Sequence, residues 1–130
     1  MRVRGLILGT VLLAFLVGCS SNSGTLSAPT MEVEQRVHDN AVSSILEKIE
    51  VADGQLCPIN DRGELLVFCG KAVGPKDGSR IVINGVAIEP GQRFETRSHI
   101  PIKEGFTCGG ELYENAVHVA TKELTVFPNE

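Results

Sequence analysis

The sequence predicts an α+β domain over residues 31–130, with one N-terminal amphipathic helix packed on a small, mostly antiparallel β-sheet. From Val33 to Ile49 apolar residues recur every four positions, the spacing of one helical face. Beyond Gly54 the texture turns to β. Leu65-Leu66-Val67-Phe68 and Arg80-Ile81-Val82-Ile83 are short apolar runs, and the branched residues in them stiffen an extended chain. Asn84-Gly85, flanked by Ile83 and Val86, tolerates positive φ at both positions and signals a tight hairpin.

Thr30 or Ser27 caps the helix, with Pro29 near its start. The stripe is Val33, Val37, Ala41, Ile45 and Ile49, with Val42 and Leu46 beside it. Glu32 and Arg36 form an i,i+4 pair on the outer face, and Gly54 stops the element. About 20 residues at 1.5 Å each make a rod of roughly 30 Å. Two uses of the stripe stay open: packing on the sheet, or binding a partner. Leu65–Phe68 is continuous enough for a strand covered on both faces. Gly74-Pro75-Lys76-Asp77-Gly78 is a turn. The Asn84-Gly85 hairpin pairs Ile83 with Val86 and Ile81 with Ile88. Glu89–Gln92 turns again, and 93–98 reads as an edge strand, supported by Pro101, which cannot donate to a central ladder. In the tail, Leu112, Ala116, Ala120 and Leu124 fit a helix. Val117, Val119, Thr121, Thr125 and Val126 fit strands, which is the reading adopted.

The first 18 residues are of another kind. Arg2 and Arg4 precede an uncharged apolar stretch from Gly5 to Gly18. That stretch is shorter than the roughly 20 residues a membrane span needs, and it has the layout of a secretory signal. It ends Leu16-Val17-Gly18-Cys19. This ending resembles the lipobox of bacterial lipoproteins. The resemblance implies cleavage between Gly18 and Cys19, a diacylglycerol on the Cys19 thiol and an acyl group on the new amino terminus. Two or more chains hold a protein durably, where one does so marginally. Ser20 follows the cysteine, and in enteric-type lipoproteins an Asp there retains the protein in the inner membrane. The resemblance therefore implies the outer membrane, with the folded domain periplasmic or surface-exposed. Residues 19–30 read as the lipidated cysteine and a flexible tether. Residues 20–30 carry no charge and would span about 18 Å root-mean-square.

Charge narrows the partners. The whole chain has 12 Lys+Arg against 16 Asp+Glu, net −4. Without residues 1–18, which hold two arginines and no acid, 112 residues remain with 10 against 16, net −6. Such a balance argues against nucleic acid and against electrostatic docking to anionic lipid. The membrane contact is expected from the lipid on Cys19, and the partner is expected to be an envelope protein.

Cys57, Cys69 and Cys108 remain as disulfide candidates in an oxidising compartment. Three is odd, so one thiol stays outside an internal bridge. A three-residue loop at Arg62-Gly63-Glu64 would set Cys57 opposite Cys69, the favoured pairing, at about 3 kcal/mol. Cys69–Cys108 is the second choice. There is no Cys-x-x-Cys for rapid exchange.

No catalytic constellation is legible. His38, His99 and His118 fall on different expected elements without a second ligand at metal spacing. Ser43, Ser44, Ser79 and Ser98 lie outside any Gly-x-Ser-x-Gly. No phosphate loop opens at Gly70 or Gly109-Gly110. No metal and no cofactor beyond the covalent lipid is expected. The reading is a non-enzymatic binding, structural or assembly-accessory module. The alternatives are a protective lipoprotein, for superinfection or entry exclusion or toxin immunity, and an envelope enzyme.

Overall fold

The computed structural model describes residues 24–32 and 41–129. Within them the chain is strand and turn throughout, which overturns the α+β expectation. The element read as a helix is a strand, β3 (Val42–Ala52); Val33 and Val37 lie outside the described residues. One extra residue contributes to the misreading. β3 pairs antiparallel with β4 (Gln55–Asn60), and its register shifts between Leu46 and Lys48. Before the bulge Ser44 and Leu46 are buried, and after it Ile49 packs on the core. A bulge changes which parity faces inward. Inward Leu46 and Ile49 thus stand three apart while the backbone stays extended, and Ile45 of the expected stripe is exposed. Gly54 ends no helix either. Asp53 (φ 50°) and Gly54 (φ 77°) form the two-residue turn joining Ala52 to Gln55, with positive φ at both central positions as type I′ requires.

The sheet also begins earlier than predicted. β1 (Thr25–Ser27) and β2, which opens at Thr30 (Thr30–Met31), fall in the segment read as tether; residues 19–23 lie outside the described residues. β1 runs antiparallel to β6 (Ala72–Pro75) and meets β4 in parallel at Ser27↔Gln55. β2 runs parallel to β5 (Leu65–Cys69). β4 and β5 pair at Ile59↔Leu65, and residues 25–31 wedge between them farther along. Ala28 N–H donates to the Ala72 carbonyl at 2.9 Å and Phe68 N–H to the Pro29 carbonyl at 3.2 Å. Ala28 and Pro29, which read as linker, are buried where this segment passes between two strands.

The remaining strands are β7 (Ile81–Ile83), β8 (Val86–Ile88), β9 (Arg93–Thr96), β10 (His99–Pro101), β11 (Phe106–Cys108), β12 (Glu111–Tyr113), β13 (Ala116–Val119) and β14 (Thr125–Val126). The main ladder runs β10-β13-β5-β4-β1-β6-β7-β8; β3 joins β4 to β9, and β9 also pairs β14. β14 lies beside β8, giving a barrel-like sheet. The β7–β8 hairpin has the expected pairs, Ile83↔Val86 and Ile81↔Ile88. The tail holds strands β13 and β14. Residues 93–98 are not an edge, because β9 is paired on both sides. The terminal strand of the ladder is β10, and it carries Pro101.

β5 and β13 are covered on both faces. Inward, Leu66, Phe68, Val117 and Val119 join Leu46, Leu56, Ile83 and Phe94 in the barrel interior. Outward, Leu65, Val67 and Ala116 pack with Cys57, Ile59 and Cys108. The lid on this outer cluster includes the β11–β12 hairpin, a separate two-stranded sheet.

Candidate functional site

Cys57 and Cys108 are bridged, with Cα atoms 6.0 Å apart, and both are fully buried. Neither expected pairing forms. The β4–β5 loop has three residues, Asp61-Arg62-Gly63, one position earlier than expected. Asn60 decides this. Its Oδ1 accepts from Arg62 N–H at 3.0 Å and Glu64 N–H at 2.9 Å, and its Nδ2 donates to Glu64 Oε1 and to buried Ser44 Oγ. Gly63 (φ 79°) closes the loop in the left-handed conformation it requires. Carried along the strands, the register Ile59↔Leu65 sets Cys57 level with Val67 rather than Cys69. Cys57 then faces the outer cluster, where the β11–β12 hairpin brings Cys108. Cys69 is buried at the β5 end, its Sγ 3.8 Å from the Glu32 carbonyl oxygen.

The fold brings two of the three histidines onto adjacent strands. His99 pairs with Val119 and His118 with Ile100. They occupy opposite faces, however. His99 stands beside the inner Phe94, ring centroids 6.1 Å apart, while His118 shares the outer face with Ile100 and Val67. They form no joint site. Both ring nitrogens of His99 are buried, and neither has a hydrogen-bond partner among the described residues. Burial, helped by the Arg62 charge and opposed by Glu64, lowers its pKa from 6.5 to about 4. His38, Gly18 and Cys19 lie outside the described residues. Ser43 accepts from Arg93 at 3.2 Å, Ser44 faces Asn60, and the Ser79 N–H donates to Asp77. None of these serines is set against a histidine.

The arrangement best suited to binding is a cleft beside β10. Met31, Ile100, Pro101, Ile102 and buried His118 line it, with exposed Lys103 and Glu104 at its mouth. Its volume is about 270 Å³, at or below the lower end of small-molecule pockets. It has room for one side chain of a partner, apolar in its body, with either sign of charge available at the rim. Sequence reading passed over Ile100 and Ile102. Their signal was the Ile-Pro-Ile alternation, which puts two apolar side chains on one face of a strand whose proline blunts its free edge. A second hollow, about 360 Å³, lies between Ile45, Gly91 and Phe127. Its cation is already engaged: the Arg93 guanidinium sits 3.8 Å over the Phe127 ring and bonds Glu95 at 3.0 Å.

No protein-family model, curated protein or solved structure matches this chain. Among the described residues no group of three or more His, Cys, Asp or Glu side chains is placed to hold a metal ion, and no helix is long and apolar enough to cross a membrane.

Proposed function

We propose that this chain is a lipid-anchored protein of a bacterial envelope, at the outer membrane, and that its barrel is a binding or assembly-accessory module rather than an enzyme. The observation that carries the reading is Leu16-Val17-Gly18-Cys19 at the end of an uncharged run behind Arg2 and Arg4. The buried Cys57–Cys108 bridge fits an exported domain, since such bonds persist in oxidising compartments. The mechanism is local concentration. An anchor confines the barrel to a thin layer, where a weak contact with an envelope protein becomes effective without further interface. The β10 cleft is the surface offered to that protein.

Two measurements test this. Cys19→Ser is expected to leave an unprocessed precursor or a protein released from membranes; normal processing with unchanged membrane partition contradicts the anchor. A photo-crosslinking residue at Lys103, beside the cleft, is expected to capture one envelope protein in intact cells, and the same residue at Arg80 to capture it less. Equal capture at both positions, or none at either, removes the cleft from the proposal.

A further inference from the structure

The short reach from anchor to sheet restricts how the barrel can stand on a bilayer. Six residue steps separate Cys19 from Thr25, the first residue of β1. Fully extended they cover about 20 Å, and as flexible chain about 13 Å root-mean-square. Thr25 marks one end of the barrel. It pairs with Pro75, and Lys76 N–H donates to the Gly24 carbonyl at 3.1 Å. The turn at residues 76–80 therefore leaves the sheet beside the point where the chain enters it. The Asp53-Gly54 turn is at the same end, since Ser27 pairs with Gln55. The opposite end of β4 carries the tip Asp61-Arg62-Gly63. From the level of Thr25 to this tip is about eight strand steps, roughly 25 Å. A tether of 20 Å cannot let the tip face the bilayer while Thr25 stands above it.

We infer that the end of the barrel bearing Thr25 and the Lys76–Arg80 turn rests against phospholipid headgroups, with the Asp61–Gly63 tip pointing away. The inference rests on the lipid attachment proposed above. The near turn suits that place. Lys76 and Arg80 are exposed there, offset by Asp77 and by exposed Asp53 of the neighbouring turn, and Val51 beside Gly78 is 47% exposed. The distant tip carries Asp61 and Glu64 with the single cation Arg62, which bonds Glu64 at 3.4 Å. Charge is close to balanced at both ends, so the length of the tether sets the orientation.

The test uses the full lipidated chain bound to phosphatidylethanolamine–phosphatidylglycerol vesicles whose headgroups carry a nitroxide quencher. A genetically encoded fluorescent residue replaces Lys76 in one sample and Arg62 in another. Quenching at position 76 is expected to exceed that at position 62 about two-fold or more, given the spacing of the two ends. Inserting about 20 Gly/Ser residues between Ser23 and Gly24 should bring the ratio close to one. Equal quenching of vesicle-bound protein with its natural spacing overturns the orientation while leaving the anchor standing. Failure to bind vesicles, with no acyl mass on Cys19, overturns the anchor and the orientation with it.

Discussion

The two faces of β5 are closed by different means. The inner cluster around Phe68 and Phe94 is enclosed by the strands of one large sheet, which are paired in ladders except where β14 only lies beside β8. The outer cluster around Val67 and Ile59 is roofed by a hairpin whose ladder is only three residue pairs long. An isolated two-stranded hairpin is marginal in water. The outer roof is held by the Cys57–Cys108 bond, by Gly109 N–H donating to Gln55 Oε1 at 2.8 Å, and by Tyr113 Oη donating to Glu50 at 3.3 Å. Where the strands of a large sheet surround the core, non-covalent pairing suffices; where a three-pair hairpin roofs it, a covalent link supplies the closure.

The largest expected effect tests the inner face. Phe68 is 1% exposed, and Phe68→Ala should cost about 4 kcal/mol by lost transfer and a cavity, read as a lower urea midpoint. A loss below 1 kcal/mol would contradict an inner core built on this ring. Next is the covalent closure. The double variant Cys57→Ala, Cys108→Ala opens a link spanning 51 positions and should cost about 3 kcal/mol. Amide protection over residues 106–113 should fall before that of 65–68. Simultaneous loss in both segments would erase the distinction between the two faces.

A smaller effect is expected at the hairpin turn. Gly109 has φ 61°, and a Cβ there would lie 2.7 Å from the Ala52 Cβ and 2.9 Å from its carbonyl oxygen. Gly109→Ala should cost about 2 kcal/mol, with faster hydrogen exchange confined to the hairpin. The smallest effect belongs to His99 on the inner face. Its folded pKa, about 4, lies below its ordinary value of 6.5, so the unfolded chain binds more protons between these values. Stability from this group is full above pH 6.5 and is lost as pH falls toward 4. Because the ring is only partly buried, the loss should be about 1 kcal/mol. It is read as the difference in pH dependence between the natural chain and His99→Leu; identical profiles would refute it.

Local features were legible where a single rule governs them. Asn84-Gly85 specified its hairpin and register, and the unbroken apolar run at 65–68 announced a strand buried on both sides. The longer strand was not legible, because a four-residue apolar spacing suits helix and strand alike and the bulge between Leu46 and Lys48 sets Ile49 three residues after Leu46. Ala28-Pro29 misled in the other direction: uncharged residues read as tether are buried between strands. The disulfide depended on a loop shifted by one residue through the hydrogen bonds of Asn60. The β10 cleft draws on residues as distant as Met31 and His118, which only the closed sheet brings together.

The wedge at residues 25–31 also bears on how the molecule forms. Thr25 finds its ladder partner at Pro75, fifty positions later, so the site of β1 is incomplete until both β4 and β6 exist. Distant pairing of this kind slows folding toward the millisecond-to-second range. The amino-terminal strand is then a late arrival, and a chain shortened past Thr30 would lose the segment that fills the opening between β4 and β5.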